Sequence, residues 1–335
     1  MKKRVLLTGA LAAWMGVFIF LSLTHAAPVT IRFSNGAPEN HFLTQQYLEW
    51  GKLVEKNSKG EIKVQVYHSA QLFRDNEVIK AIQTGALEAG CAYAMYAENQ
   101  LVPAMKVLMM PFLYQDLDDT MKVYRSEVGA AWKATAEQKG VKLLNLVMFP
   151  APDDEIILTT KPVKVPADVK GTVLRVVGPE TAALAKKWGA GASFISGAEV
   201  YLALQRGTVH GAFNSLTTYV ERKLYEVGPY VIFLPSINVQ TFIAINKGFF
   251  ERLAPPQQKA ILDASATIEA NTKQVAEKTL KEALEEAKKK GKLYTPTAAE
   301  LDLWREGTSS IWEEMASKSP DVAAALKKTR SILNR

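Results

Sequence analysis

Cysteine is almost absent from the sequence, since Cys91 is the only one among 335 residues. One thiol cannot form a disulfide within the chain, so the fold must be stabilised by its hydrophobic core alone. Hydrophobic residues make up 48% of the chain and charged residues 22%, which is typical of a globular protein. The length exceeds what a single core usually supports and predicts two domains.

The sequence also lacks the usual motifs of catalysis and metal binding. Its four histidines show no metal-ligand spacing from one another: His25, His41, His68 and His210. It has no G-x-S-x-G motif and no phosphate-binding loop, and Phe194 stands where a third glycine would complete the motif begun by Gly189 and Gly191. The acids at 153–155 lack the spacing of a calcium loop. We therefore expect no enzymatic activity, no cofactor and no metal.

Positive charge is present in excess but is not clustered. The chain has 41 basic and 34 acidic residues, and residues 1–26 contribute three of the basic ones and none of the acidic ones. The remaining excess of four is scattered, whereas nucleic-acid binding needs a basic surface with interleaved aromatic residues. The basic run at 288–290 precedes Gly291 and is typical of a solvated helix end. No nucleic-acid partner is expected.

The N-terminus has the pattern of an export signal. Lys2, Lys3 and Arg4 precede an uncharged, mostly apolar run at 5–23, and Thr24-His25-Ala26 then places small residues at the two positions that a signal peptidase reads. This predicts a cleavable signal peptide at 1–26 and a periplasmic protein. The alternative is a retained membrane anchor, which the 5–23 run is long enough to form.

One phrase occurs twice, at 77–92 and at 199–214, with a constant offset. The glutamate, valine, alanine, glutamine and glycine of EVIKAIQTGALEAGCA recur in EVYLALQRGTVHGAFN. In both copies apolar residues at helical spacing end at a glycine, which suits a helix C-terminus, and a short apolar strand follows. The repeat indicates either two similar α/β lobes or the common helix-glycine-strand arrangement of α/β proteins.

The remaining pattern predicts an α/β fold with two hinged lobes and a long C-terminal helix spanning both. Residues 115–139 read as helical and 142–149 as a buried strand, and the prolines and acids of 150–155 indicate a domain crossing. The strand-like QTFIAIN at 240–246 could return to the first sheet. We predict one helix over 263–290 and a capping box of Thr297 and Glu300 for a helix carrying Leu301, Trp304 and Trp312. The predicted domains are 27–150 with about 240–275, and 151–239 with about 276–335.

Arg175 is the candidate binding residue that the sequence marks most clearly. It lies in the apolar strand TVLRVV, and a buried guanidinium is costly unless an anion pairs with it. The anion could be a soluble ligand or an acid of the protein, or Arg175 could face solvent. Asn214 ends the second copy of the repeat, at the strand end where open α/β sheets place ligand groups.

Several stretches together resemble the solute-binding proteins of tripartite ATP-independent periplasmic (TRAP) transporters. They are SKGEIKVQVYHSAQL at 58–72, EVIKAIQTGALEAG at 77–90, MMPFLY at 109–114, VPADVKGTVLRVVGPET at 165–181, and EVYLALQRGTVHGAFN with KLYEV within 199–227. The resemblance implies a two-lobed monomer that closes on a solute and delivers it to a membrane permease. It also implies a carboxylate-clamping role for Arg175, a supporting role for Asn214, and cleft positions for Asp75, Tyr93 and Gln240.

The chain departs from the family pattern at the crossing. Glu155 of FPAPDDE stands about where many relatives carry a second arginine, so we expect a monocarboxylate, an aromatic or hydroxy acid, rather than a dicarboxylate held at both ends. Tyr93 and Phe213 would then lie behind the carboxylate, and Glu155 would accept a hydrogen bond from the ligand. Glu155 could instead point to solvent and Phe213 could pack the lobe. The rival functions are a periplasmic enzyme acting on a carboxylate, and a receptor of another importer or a sensor.

Overall fold

The structure is a computed structural model that describes residues 28–152 and 155–335. The predicted signal peptide and, within the predicted crossing, Asp153 and Asp154 lie outside the described residues. Across the described ranges, none of the helices combines the length and apolar character that a membrane span requires.

Strands alternate with helices along most of the chain, as expected for an α/β protein. In chain order the strands of the described ranges are β1 (Val29–Ser34), β2 (Ile62–Tyr67), β3 (Ala89–Tyr93), β4 (Val141–Val147), β5 (Glu155–Thr159), β6 (Val173–Val176), β7 (Gly191–Phe194), β8 (Gly211–Ser215), β9 (Tyr230–Phe233), β10 (Thr241–Asn246) and β11 (Lys292–Tyr294).

The helices vary from five residues to the 36 residues of the long C-terminal helix. In chain order they are α1 (Phe42–Asn57), α2 (Asp75–Thr84), α3 (Ala94–Gln100), α4 (Leu117–Tyr124), α5 (Glu127–Gln138), α6 (Pro179–Lys187), α7 (Val200–Gln205), α8 (Leu216–Glu221), α9 (Lys247–Glu251), α10 (Pro255–Lys290), α11 (Ala298–Arg305), α12 (Ser309–Ser317) and α13 (Pro320–Leu333).

The strands form two sheets. The first has the order β2-β1-β3-β10-β4, with β10 antiparallel to both neighbours, and the second has the order β11-β9-β5-β8-β6-β7. We call the first sheet with α1 to α5 the first lobe, and the second sheet with α6 to α8 the second lobe. The chain passes from the first sheet to the second between β4 and β5, and β10 returns to the first sheet between β3 and β4. α10 then contacts α1 and β4 of the first lobe and α8 of the second.

The two copies of the repeated phrase adopt the same local structure. In the first copy, the N–H of Gly85 donates to the Ile82 carbonyl and that of Leu87 donates to the Ala81 carbonyl. In the second, at the same offset, Gly207 donates to Leu204 and Val209 donates to Ala203. Both glycines have positive φ angles, 75° and 69°, a conformation that glycine adopts without a Cβ penalty. Each copy leads into an inner strand, β3 in the first sheet and β8 in the second.

The helical stretch predicted over 115–139 is two helices. α4 ends at Tyr124, and the Ser126 hydroxyl caps α5 by accepting the N–H of Val128 at 3.1 Å. A Cβ on Gly129 would lie only 2.6 Å from the carbonyl carbon of Tyr124. Glycine therefore permits the sharp turn, which an apolar pattern alone does not reveal.

The C-terminal region differs from the sequence-based expectation in two respects. The long helix begins at Pro255 rather than near Asp263, because proline is well suited to a first helical position. The capping box is confirmed, since Thr297 and Glu300 exchange hydrogen bonds. However, the helix that it starts ends at Arg305, and Trp312 lies on α12.

The last helices contact both lobes. On α11, the Trp304 indole donates to the Lys164 carbonyl of the second lobe, whereas the Trp312 indole donates to the Pro111 carbonyl of the first. At the C-terminus, the Arg335 guanidinium bonds the Asp119 carboxylate at 2.8 Å. These contacts tie 309–335 to elements placed in the first domain, although the predicted limits assigned 276–335 to the second. The domain limits themselves stay a prediction.

Candidate functional site

Arg175 is buried in β6, with 8% of its surface exposed. Its Nε donates to the Ile195 carbonyl at 2.9 Å, and its Nη1 donates to the Phe213 carbonyl at 2.8 Å. Within the described part of the chain, no carboxylate lies within ion-pair distance of the guanidinium and Nη2 forms no hydrogen bond. Burial lowers the pKa of Arg175 to about 10, a shift that Tyr96 and Glu155 oppose and that Arg222 reinforces. The carbonyls fix the group without neutralising it.

Asn214 and Glu155 lie at the same sheet edge as Arg175. β5 runs antiparallel to β8 and pairs Glu155 with Ser215, so the start of β5 lies beside the end of β8. The Asn214 side-chain oxygen accepts the N–H of Ser215 at 3.0 Å. Glu155 is buried, and its charge raises the pKa of Arg175. The second lobe therefore brings these three predicted site residues together.

Asp75 faces this edge from the first lobe. It begins α2, and its Oδ1 accepts the N–H of Gly36 at 2.7 Å. A Cβ on Gly36 would lie 2.6 Å from the Asp75 Cγ, so the carboxylate packs directly on the glycine backbone. Burial raises the pKa of Asp75, while the Gly36 hydrogen bond and the Arg222 charge oppose the shift.

Tyr93 belongs to an aromatic group at the end of β3. Its ring centroid lies 6.2 Å from that of Tyr96 and 6.2 Å from that of Phe149. Burial is the main reason that the pKa values of both tyrosines rise, and the Asp75 charge adds to the effect in each. These interactions bring Tyr93 and Tyr96 near Asp75, and the predicted cleft position of Tyr93 stays a prediction.

Phe213 does not present its ring to the site. The ring is 1% exposed and stacks on Trp188 at 5.8 Å, in the core of the second lobe. Adjacent strand residues point to opposite faces, so Phe213 faces the core when Asn214 faces the other side. Phe213 thus contributes its carbonyl to Arg175, rather than the flat apolar surface that the sequence suggested.

The Gln240 side chain forms hydrogen bonds with the segment that leads from the first sheet to the second. Its Nε2 donates to the Asn238 side chain at 2.7 Å and to the Ala151 carbonyl at 3.1 Å, and its Oε1 accepts the N–H of Phe149 at 3.1 Å. The residue is completely buried. The Gln240 amide thus links the start of β10 to the segment that follows β4. Its N–H groups are used within the protein rather than directed to a ligand.

Sequence reasoning missed His41 and Arg222. His41 caps α1, its Nδ1 accepts the N–H of Leu43 at 3.2 Å, and its Nε2 lies 3.3 Å from a carboxylate oxygen of Glu221 on α8. Burial and, to a smaller extent, the charge of Arg222 together lower the pKa of His41 to about 3. The neutral ring of His41 therefore lies against Glu221 of the second lobe.

Arg222 follows α8 and is partly buried. Burial raises the pKa values of Asp75 and Tyr93 in the first lobe, and the Arg222 charge opposes both shifts. In the sequence, Glu221 and Arg222 at the end of a short helix resemble solvent-exposed charges, and only the packing of the two lobes shows that Arg222 lies near groups of the first lobe.

Comparison with known proteins gives the family. Residues 33–319 match the model of the bacterial extracellular solute-binding proteins, family 7. The chain belongs to this family. A family 7 relative, the C4-dicarboxylate-binding periplasmic protein DctP of Rhodobacter capsulatus, is 26% identical over 330 residues, which cover 97% of this chain and 98% of the relative.

Solved structures of similar proteins show the fold. A TRAP periplasmic solute-binding protein from Sulfitobacter sp. NAS-14.1 with bound β-D-galacturonate has a TM-score of 0.84 and 21% identity, covering 90% of this chain and 99% of that one. An extracytoplasmic solute receptor from Bordetella pertussis that binds pyroglutamic acid has a TM-score of 0.82 and 21% identity, covering 89% and 99%. The predicted two-lobed α/β fold with a long C-terminal helix is confirmed.

Family 7 consists of solute-binding proteins of transporters, so the expectation of a binding protein rather than an enzyme is confirmed. Among residues 28–152 and 155–335, no group of three histidine, cysteine or acidic side chains could hold a metal ion. Among the described residues, the candidate site groups two arginines, acids from both lobes and aromatic rings, a set that can bind an anion and donate and accept hydrogen bonds.

Proposed function

We propose that this family 7 protein is a periplasmic solute-binding protein of a TRAP transporter that captures a small organic monocarboxylate, an aromatic or hydroxy acid. The observation that carries this proposal is the state of Arg175. Two carbonyls orient the buried guanidinium, yet no described carboxylate pairs with it within 4.0 Å. A charge-assisted, bidentate contact with a carboxylate would use its remaining N–H groups.

Ligands of related proteins support a carboxylate. The relative from Rhodobacter is named for C4-dicarboxylates, and the two structures described above hold galacturonate and pyroglutamic acid. A carboxylate group is common to these compounds, while the rest of each molecule differs. The part of the site that binds the carboxylate is therefore the part most readily carried over to this chain.

The charges around the cleft favour one carboxylate over two. Among the described residues, Arg175 and Arg222 are the nearby cations, His41 is neutral, and three acids lie near them: Asp75, Glu155 and Glu221. A monoanion adds one negative charge to this set, whereas a dianion would place a second carboxylate among acids. Asn214 would support the bound carboxylate, and Glu155 would accept a hydrogen bond from a ligand hydroxyl or amine.

The proposed mechanism is capture by closure. Arg175 and Asn214 from the second lobe meet Asp75 and Tyr93 from the first, and the closed cleft excludes water and strengthens the charge-assisted contact. The protein would act as a monomer and deliver the solute to the membrane permease of the transporter. A signal peptide at 1–26, removed on export, would place it in the periplasm.

The test is a thermal-shift screen of organic acids followed by calorimetry on variants. A ligand that binds only the folded form raises the melting temperature by mass action. The best acid should lose at least 100-fold in affinity for Arg175→Ala and a smaller but clear amount for Arg175→Lys, which keeps the charge without the planar fork. Arg206→Ala, at an exposed arginine of the same lobe, is the matched control.

Arg175→Ala leaves the carbonyls of Ile195 and Phe213 without a donor, so folding of each variant must be measured by its melting temperature. Unchanged affinity of folded Arg175→Ala, or the absence of any acid that binds the wild type, would contradict the proposal.

A further inference from the structure

Arg222 and Arg175 converge on one backbone position. The Cβ that Gly197 lacks would lie 3.3 Å from Nη1 of Arg222 and 3.8 Å from Nη2 of Arg175. The two nitrogens are therefore separated by no more than the sum of these distances. Gly197 lies in the loop between β7 and α7, and the missing side chain leaves room for both guanidinium groups beside the loop.

A carboxylate approaches the same region from the opposite lobe. Asp75 is fixed by the N–H of Gly36, in the first-lobe segment whose His41 lies 3.3 Å from Glu221, the chain neighbour of Arg222. The Arg222 charge accordingly opposes the rise that burial causes in the pKa of Asp75. Nevertheless, no ion pair of 4.0 Å or less joins these two described side chains. A fixed acceptor in the first lobe thus faces a donor in the second, with a separation wider than a direct contact.

The chemistry of the two groups defines what fits between them. A guanidinium only donates hydrogen bonds and an ionised carboxylate only accepts them. A hydroxyl group does both, so it can accept from Arg222 while it donates to Asp75. A methylene satisfies neither side, and a second carboxylate would be attracted by Arg222 but repelled by Asp75.

We propose that Arg222 is the second ligand-binding cation of the site and that, with Asp75, it recognises a hydroxyl group carried by the carboxylate ligand. This inference rests on the proposed binding of the carboxylate by Arg175. It assigns the two arginines different tasks, since Arg175 holds the carboxylate and Arg222 discriminates between acids that differ by one oxygen atom.

The test uses pairs of acids that differ by one hydroxyl group, mandelate against phenylacetate and lactate against propionate, with succinate as a dicarboxylate. Calorimetry should show that the wild type binds the hydroxylated member of at least one pair tenfold or more tightly, because a site built around a hydroxyl group leaves polar groups unpaired when it is missing. Arg222→Met should reduce this preference to threefold or less. Asp75→Asn should also reduce it, while increasing the affinity for succinate.

Two further variants keep the outcome interpretable. Arg222→Lys retains the charge, so it separates general attraction of anions from recognition of the hydroxyl group, and it should restore only part of the preference. Arg206→Ala should preserve the preference. Melting temperatures establish that each variant folds.

The results also separate this inference from the proposed function. Equal affinity of the wild type for both members of every pair, or an undiminished preference in Arg222→Met, would overturn the role of Arg222 while carboxylate binding by Arg175 stood. Binding that survives in Arg175→Ala, or no binding of any of these acids to the wild type, would overturn both.

Discussion

A buried charge cluster between the lobes gives a quantitative prediction. Lys106, in the 3₁₀ segment Pro103–Met109, donates to Glu98 of α3 at 2.8 Å and to Glu180 of α6 at 3.0 Å. The carboxylate side chains are 0% and 1% exposed. One amine thus serves two buried acids, one from each lobe. Burial, followed by the Glu180 charge, raises the pKa of Glu98 to about 7.

The sign of the pH dependence follows from that shift. Glu98 binds a proton more tightly in the folded chain than in the unfolded one, so its contribution to stability is complete below about pH 4.5 and is lost as the pH rises through 7. The shift of about 2.5 units corresponds to about 3 kcal/mol at most. Glu98→Gln has no such proton to lose, and Lys106 keeps its contact with Glu180.

Calorimetric melting temperatures at pH 5, 6, 7 and 8 test the prediction. Relative to the wild type, Glu98→Gln should gain about 2 kcal/mol between pH 5 and pH 8, which corresponds to several degrees in a protein of this size. Glu313→Gln, at an exposed acid, is the control and should show a constant difference from the wild type. A constant difference for Glu98→Gln as well would show that folding does not raise the pKa of Glu98.

Three further predictions concern single positions. The pKa of His41 is lowered to about 3, so the contribution of this residue to stability falls as the pH drops below about 6.5, by up to about 1.4 kcal/mol per pH unit. The difference in stability between His41→Asn and the wild type should change by that amount in melting experiments, and a constant difference would contradict the assignment of a neutral ring. Gly36→Ala should displace the Asp75 carboxylate and weaken binding of the best acid from the screen at least tenfold in calorimetry, and full affinity would show that Asp75 is not part of the site. Gly85→Ala and Gly207→Ala should each cost about 1 kcal/mol in urea unfolding, because both have positive φ angles without a steric clash; unequal losses would argue against equivalent roles.

The spacing of apolar residues predicted those helices and strands in which it is regular. β4, β10 and the repeated phrase lie where their apolar patterns indicate, since most of the apolar residues of each are buried. By contrast, β7 was not predicted, because Gly191–Phe194 is mostly exposed and has no apolar face to reveal it. Its position at the sheet edge depends on pairing with β6, which is a tertiary interaction.

A site residue could be predicted from the sequence where its polarity differs from that of its neighbours. Arg175 is a charge within an apolar strand, and the structure buries it. The prediction for Phe213 was wrong because neighbouring residues in a strand face opposite sides of the sheet. Phe213 and Asn214 could therefore not both point to the ligand. Arg222 and His41 carried no such signal. Each lies at a helix end, and each acquires its environment only from the facing lobe.

A crystal structure with the best acid from the screen would show whether Arg175 holds a carboxylate between the lobes. We expect the ligand carboxylate within hydrogen-bond distance of Nη2 of Arg175, with the Ile195 and Phe213 carbonyls still accepting from Nε and Nη1. A ligand bound in the cleft whose carboxylate contacts other groups and leaves Arg175 untouched would contradict this expectation.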